Sequence, residues 1–300
     1  MFRDGLMHPQ RPWLGFSIFA GAWIALFSLV LIPLIRFSLG SELESYIPLI
    51  PFISFYLLVT KKPGEMTGHG TADPRRSVAA GLGIVTVILL VVHGVLISGG
   101  RIGGNASVLV LPVVAFVTGL LGGAVFCFGW PAFRSALFPW LFLYFMTPIP
   151  EPLAHGMRVA LQQGSAEAAS LMFALTGTSV FREGLSFQLP GLAIQVAEEC
   201  SGIHSSLVLV LTSLVAGHLF LRKSWTRLLL VALVIPLGLI RNGFRIVSIS
   251  LLTIHVDPRI IDSPLHHRGG PVYFVLSLGV LALILWGLRR TENRRKEGML

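Results

Sequence analysis

Charged residues are scarce in this chain of 300 amino acids: only 12% are Asp, Glu, Lys or Arg, and 54% are hydrophobic. A soluble globular domain carries about a quarter charged residues, so this composition excludes one. Cysteines are also too few for a disulfide framework, because only Cys127 and Cys200 are present. A metalloprotease is disfavoured because no His-Glu-x-x-His motif occurs. The sequence predicts no bound metal and no cofactor.

Apolar runs long enough to cross a bilayer recur along the chain. They predict an all-α polytopic membrane protein with about eight transmembrane helices and an outward-facing loop region before the sixth. The whole chain is interpreted as a single integral membrane domain with a basic cytoplasmic tail over 289–300. The predicted spans are 14–35, 47–59, 78–97, 107–128, 136–149, 203–221, 228–252 and 271–288.

The basic residues predict orientation rather than nucleic-acid binding, although the net charge is +9. Cytoplasmic loops are enriched in Lys and Arg. The loops on one side of the predicted spans contain more Lys and Arg than the loops on the other side, so we assign the first set to the cytoplasm. An even number of spans then puts both termini in the cytoplasm of a bacterial inner membrane. The basic residues of these loops are Lys61, Lys62, Arg75, Arg76, Arg134, Arg222, Lys223 and Arg227.

The longest loop, 150–202, is predicted to face outward. Its segment 165–177 has a mildly amphipathic helical pattern. Residues 180–200 alternate between apolar and polar, which indicates short strands or a hairpin with a Pro-Gly turn at 190–191.

Two arginines interrupt the seventh span, in "IRNGFRI". Each charge at mid-membrane costs about 2.5–3.5 kcal/mol, so Arg241 and Arg245 need acceptors or an anionic ligand. Arg245 is seven residues before the predicted outer end, or about 10 Å below it, and Arg241 is one turn deeper on the same face. They either pair within the helix bundle or direct positive charge at a substrate carbonyl.

The stretch "VAEECSGIHSS" places Cys200 at the outer mouth of the sixth span. The start of a helix favours a thiolate, whereas Glu198 and Glu199 oppose it unless they orient a base or bind substrate. His266 or His267, in the next outer loop, could supply a base. Cys127 lies in an apolar run and is assigned to packing.

These residues predict nucleophilic acyl transfer. Cys200 would attack a peptide carbonyl, a histidine would carry the proton, and Arg245 would stabilise the oxyanion. A transporter is the rival interpretation, since intramembrane Arg and His also serve ion pathways. A non-catalytic subunit of an exopolysaccharide assembly machine is another.

The motifs resemble those of the exosortases and archaeosortases, polytopic membrane enzymes regarded as cysteine transpeptidases. The resemblance rests on "AEECSGI", "NGFR" and "HHRGG", and spans roughly residues 40–290. It implies that Cys200 is the nucleophile, Arg245 the oxyanion or substrate ligand, and His266 the acid/base.

Three positions depart from the family pattern, and one of them is Pro271, which stands where an aromatic residue is common. His204 stands where the family often has Arg, so it is a rival base one turn from Cys200, and Arg241 is an added charge beside Asn242. We assign Glu198, Glu199, Asn242, Arg241 and His204 to substrate binding.

The resemblance also implies a substrate class: exported proteins with a C-terminal tail made of a short Pro-Glu-Pro-type motif, a transmembrane helix and a basic end. It implies cleavage at the motif and transfer to a surface acceptor. The expected partners are such proteins, the lipid bilayer and exopolysaccharide machinery, with no nucleic acid.

Overall fold

A computed structural model describes residues 11–60, 75–196, 202–262 and 270–297. The chain divides into two compact units between Glu151 and Pro152; that they form one integral membrane domain stays a prediction. Most of the described residues are helical, with one small sheet. The elements are α1 (Arg11–Leu26), α2 (Ser28–Gly40), α3 (Ile50–Val59), α4 (Arg75–Ser98), α5 (Asn105–Phe128), α6 (Trp130–Ser135), α7 (Leu137–Phe142), α8 (Glu151–Leu175), β1 (Phe181–Glu183), β2 (Ser186–Leu189), β3 (Leu192–Gln195), α9 (Ile203–Phe220), α10 (Ser224–His255) and α11 (Gly270–Glu297).

Among the described residues, five helices are long and apolar enough to cross a membrane, namely α4, α5, α9, α10 and α11. A sixth crossing results if α1 and α2, which meet at a 74° bend, form one span. The predicted second and fifth spans correspond to shorter apolar helices, Ile47–Val59 and Leu137–Met146. The protein is therefore a helical multi-pass membrane protein, but the predicted count of eight spans is not confirmed.

The bend between α1 and α2 lies at Phe27, inside the predicted continuous span 14–35. Phe27 is buried and packs against Trp23 and Phe116, with ring centroids 4.8 and 5.5 Å away. The Trp23 indole N–H donates to the Phe116 carbonyl at 2.9 Å. The aromatic contacts thus fix the chain at the bend, where no proline is present.

Two glycines of α5 let these aromatic rings approach the helix backbone. A Cβ on Gly119 would lie 2.2 Å from the Trp23 ring, and one on Gly123 would lie 1.9 Å from the Phe19 ring. Neither distance is sterically possible, so glycine at both positions is required for the packing of α1 on α5.

Glu44 is a buried carboxylate between α2 and α3, with only 2% of its surface exposed. One carboxylate oxygen accepts the Ile149 backbone N–H at 2.8 Å, and the other has no partner in the described part of the chain. Burial raises the pKa of Glu44, and the nearby charge of Glu151 acts in the same direction. The first unit therefore contains a carboxyl group that is easier to protonate than one in water.

In the second unit, α8 packs against the antiparallel sheet β1-β2-β3. The predicted helix and the turn at 190–191 are both confirmed, since β2 ends at Leu189 and β3 begins at Leu192. Arg182 of β1 donates to Glu167 of α8 at 2.7 Å, and this hydrogen bond lowers the pKa of Glu167. The buried core consists of Ala166, Ala169, Phe173, Phe187, Leu189, Val196 and Val247.

The remaining helices of this unit, α9, α10 and α11, share a second apolar core. Near the start of α10, the buried carboxylate of Glu292 from α11 accepts the backbone N–H groups of Arg222 and Lys223, each at 3.0 Å, and the Thr226 hydroxyl. Glu292 thus holds α11 against the start of α10. The basic segment that was predicted as a tail, 289–300, belongs to α11 and is helical up to Glu297. The core residues are Leu209, Leu221, Leu230, Val234 and Leu281.

We predict that Gly123→Ala destabilises the protein by about 1–3 kcal/mol, because the added methyl overlaps the Phe19 ring. Thermal unfolding in detergent, followed by circular dichroism, measures the effect. Gly94→Ala on α4 is the matched control, since a Cβ there meets nothing within 4 Å. Equal stability of Gly123→Ala and Gly94→Ala would contradict the packing of α1 on α5.

A pH-dependent effect is predicted for Glu44→Gln. Because the folded-state pKa of Glu44 is raised, the folded chain binds more protons than the unfolded chain between the two pKa values, and wild-type stability falls as pH rises through that interval. The glutamine variant keeps an acceptor for Ile149 but loses this slope. Unfolding temperatures across pH 4–8 should show the variant gaining on wild type as pH rises, whereas the exposed control Glu42→Gln follows wild type. Parallel curves for wild type and Glu44→Gln would refute the assignment.

Candidate active site

The first turn of α9 begins at a glycine in the left-handed backbone conformation. Gly202 has φ 68° and ψ 21° and immediately precedes Ile203, the first helical residue. Residues with a Cβ are strained in this region. The Gly202 carbonyl accepts the Ser206 N–H at 2.9 Å and the Ser205 hydroxyl at 3.0 Å. A glycine cap has no side-chain acceptor, so the first amides of α9 lack an acceptor on their own cap residue.

The Arg241 guanidinium lies against this turn. Its Nη2 is 3.4 Å from both the Gly202 carbonyl oxygen and the Ser206 hydroxyl. The side chain is only 8% exposed, and within the described part of the chain its Nη1 has no hydrogen-bond partner. Because a guanidinium carries five N–H donors, this buried cation keeps donor capacity beside the start of α9.

Small residues on α10 allow the neighbouring helices to approach this site. A Cβ on Gly238 would lie 3.1 Å from the Ser206 hydroxyl, and one on Gly243 would lie 2.8 Å from the Ala168 Cβ of α8. Asn242, which lies between these two glycines in the sequence, is 3% exposed. Its amide would be 3.4 Å from a Cβ on Gly202. Arg241 and Asn242 therefore both border the residue that begins α9.

One turn further along α10, the backbone at Arg245 is linked to the start of α11. The Ser248 hydroxyl lies 3.2 Å from the Arg245 carbonyl oxygen and 2.8 Å from the Tyr273 hydroxyl. Tyr273 is 7% exposed and also meets the Phe244 ring edge-on, at a centroid distance of 6.1 Å. The first turn of α11 is thus fixed beside Arg245.

Arg245 lies deeper along α10 than the sequence predicts. The helix continues to His255, three residues beyond the predicted end at 252. Arg245 is therefore ten residues, or about 15 Å, from the end of the helix rather than about 10 Å. The side chain is partly buried.

A contact that sequence reasoning missed fixes the chain after β3. The Gln162 side chain, 7% exposed, donates its amide N–H to the Val196 carbonyl. The Val196 N–H in turn bonds to the Leu185 carbonyl at 3.0 Å. Gln162 is the one large polar residue among the buried residues of α8, and this was the signal for the contact in the sequence. With Gly202, this fixes the chain on both sides of 197–201.

Of the predicted site residues, Arg245, Arg241, Asn242 and His204 are described. The structure brings Arg241 and Asn242 together with Gly202, and His204 lies in the first turn of α9. Cys200, Glu198, Glu199, His266 and His267 lie outside the described residues. Within the ranges that are described, no group of three or more His, Cys, Asp or Glu side chains could hold a metal ion.

Comparison with known proteins identifies the family. Residues 38–283 match the family described as transmembrane exosortase (Exosortase_EpsH). No curated protein and no solved structure matches the chain. The matched region includes Gly202 and both arginines of α10, and it agrees with the span of about 40–290 expected from the motifs. Because the match covers most of the 300 residues, the chain belongs to the transmembrane exosortase family.

Proposed function

We propose that the protein is a membrane-embedded cysteine protease/transpeptidase that cleaves the C-terminal sorting tails of exported proteins and transfers the product to a surface acceptor. Cys200 is the nucleophile, His266 the acid/base and Arg245 a ligand of the reacting carbonyl. Glu198, Glu199, Asn242, Arg241 and His204 contact the substrate. The site faces the outside of a bacterial inner membrane, with both termini in the cytoplasm.

The observation that carries this proposal is the position of the α10 segment 241–248 between two other segments. Arg241 and Asn242 border Gly202 at the start of α9, and Ser248 bonds to Tyr273 in the first turn of α11. A chain spans at most about 3.6 Å per residue. Cys200, two residues before Gly202, is therefore within about 7 Å of it by covalent connection alone.

The proposed base is also tied to a described element by a short stretch of chain. His266 is four residues before Gly270, where α11 begins, so its Cα lies within about 14 Å of the Gly270 Cα. Tyr273 is three residues into the helix and fixes that helix at the Arg245 turn. Covalent reach thus permits the thiol, the imidazole and the guanidinium to meet on one side of α10.

Such a site supports a two-step acyl transfer. The Cys200 thiolate forms a bond to the scissile carbonyl carbon, and the C=O electron pair moves onto oxygen. When that pair returns, the C–N bond breaks and the leaving amine takes a proton from His266. The thioester is then attacked by water or an acceptor nucleophile, which gives its proton to His266 and expels the thiolate.

Membrane burial explains why arginine suits this role. It stays protonated and presents several donors, and low surrounding polarity strengthens its attraction to a developing oxyanion. A helix that approaches laterally through the bilayer would present its flanking motif to a site at the outer side. The family match and the membrane spans support this substrate class.

The proposal predicts Cys200-dependent shortening of a tailed reporter. The enzyme is co-expressed with a reporter that carries a Pro-Glu-Pro motif, a transmembrane helix and a basic end, in a host without its own exosortase. Gel mobility and intact mass should show shortening by wild type and by Cys127→Ala, and none by Cys200→Ala.

Equal shortening by Cys200→Ala would refute the assignment of Cys200 as the nucleophile. Retained processing in Arg245→Ala or His266→Ala would refute those roles, and a loss in His204→Ala alone would identify the rival base. If wild type leaves every tailed reporter intact, a transporter or an assembly subunit becomes the better interpretation.

The link between α10 and α11 is tested separately. Tyr273→Phe and Ser248→Ala each remove one partner of the hydroxyl pair, and we expect each to slow reporter shortening by about fivefold, consistent with a hydrogen bond of about 1 kcal/mol. Because both variants break one interaction, the double variant should be no slower than either single one. Multiplicative losses would contradict a shared role. Thr291→Ala, an exposed hydroxyl on α11, serves as the control.

A further inference from the structure

Arg241 has no equivalent in the family motif and no assigned chemical role beyond a general contact with substrate. Its guanidinium nonetheless has two defined contacts in the first turn of α9. Nη2 approaches the Gly202 carbonyl, whereas Nη1 is buried without a partner in the described segments. With 8% of its surface exposed, the guanidinium cannot satisfy this nitrogen with bulk water.

A second feature points to the same place. The first amides of α9 have no acceptor within their own helix, and their cap residue is a glycine without a side chain. The start of an 18-residue helix also carries partial positive charge. Arg241 lies against the first turn of this helix, and helix N-termini and arginine side chains both favour a negative oxygen.

We propose that Arg241 and the first turn of α9 form a subsite for an anionic oxygen, and that in the reaction this is the carbonyl oxygen of the scissile bond. This inference rests on the proposed function, because it assigns the oxyanion formed when the Cys200 sulfur adds to the carbonyl carbon. That oxygen gains the C=O electron pair and returns it when the C–N bond breaks. Arg241 is then a catalytic residue in addition to Arg245.

The arrangement favours Arg241 for this role on grounds of proximity. Cys200 is within about 7 Å of Gly202 along the chain, and Gly202 is the residue against which Arg241 lies. The Gly202 carbonyl, which also accepts from Ser205 and Ser206, holds Nη2 and leaves Nη1 to the ligand. The left-handed glycine is what lets the guanidinium approach so closely, since a Cβ there would be 3.0 Å from Nη2.

The first test needs no knowledge of the substrate. In a Cys127→Ala background in nanodiscs, Cys200 is alkylated with iodoacetate or iodoacetamide, which are similar in size but differ in charge, and mass spectrometry gives both rates. A subsite for anionic oxygen raises the iodoacetate-to-iodoacetamide rate ratio. We expect Arg241→Gln to lower that ratio about tenfold or more and Arg241→Lys to retain most of it.

Arg227→Gln is the matched control, because Arg227 bonds to the Leu221 carbonyl at the other end of α10. An unchanged ratio in Arg241→Gln would overturn the subsite, and it would do so whether or not any reporter is processed.

The second test separates an oxyanion ligand from an anchor for a substrate carboxylate. With the tailed reporter, Arg241→Gln should lower kcat about 100-fold at unchanged KM, since removal of one oxyanion donor typically costs that much. A rise in KM alone, abolished when the motif glutamate is replaced by glutamine, would overturn the oxyanion role. Full turnover by Arg241→Gln alongside an inactive Cys200→Ala would refute this inference and leave the proposed function intact. Processing that survives Cys200→Ala would instead refute the proposed function.

A glycine pair tests the geometry without changing the arginine. Gly202→Ala and Gly177→Ala place a Cβ on equally left-handed backbones, with φ 68° and 69°, but only the one at Gly202 would contact Arg241. We expect Gly202→Ala to lower the iodoacetate-to-iodoacetamide ratio of Cys200 and Gly177→Ala to leave it unchanged. Equal ratios in the two variants would contradict the placement of Arg241.

Discussion

A guanidinium buried in an apolar helix is the constraint on which this half of the molecule depends. Arg241 is 8% exposed within α10, a helix otherwise suited to a membrane. A charge at such a position is costly and persists only where acceptors or an anionic ligand offset the cost. The described acceptors, the Gly202 carbonyl and the Ser206 hydroxyl, are both at 3.4 Å, at the long end of hydrogen bonding. The structure therefore holds a cation that its described neighbours satisfy only in part, and buried polar groups without a partner are rare in proteins.

Glycines in the surrounding helices make room for the buried Arg241 and for the residues packed near it. Gly238 admits Ser206, Gly243 admits Ala168, and Gly202 admits the guanidinium itself. Small residues at helix contacts are the usual means of close approach in membranes, where there is little hydrophobic force between helices. Here they have a second consequence, because they determine which polar groups reach the start of α9. Packing and chemistry at the site are thus determined by the same positions.

Sequence reasoning predicted best those features that depend on local composition. The spans 47–59 and 203–221 agree with Ile47–Val59 and with α9 (Ile203–Phe220) to within a residue, because apolar runs and their breaks are visible one segment at a time. The Pro-Gly turn before β3 was predictable for the same reason. The 74° bend at Phe27 was not, since it depends on Phe116, which is remote in sequence. The pairings of Glu44 with Ile149 and of Gln162 with Val196 also join residues far apart in the chain.

The candidate site was partly predictable: the features that depend on local sequence were predicted, and those that depend on contacts between segments were not. Periodicity placed Arg241 and Arg245 on one face, and motif order connected α9, α10 and the start of α11. Which arginine lies beside the turn after Cys200 could not be read from spacing, because it depends on the left-handed backbone of Gly202 and on how closely α9 approaches α10. If a transporter used this pair, both charges would line a pathway for a mobile ion. Instead, one cation lies against the first turn of the helix that follows the predicted nucleophile in the sequence. That geometry is suited to holding a single oxygen while its charge changes, which is a requirement of acyl transfer.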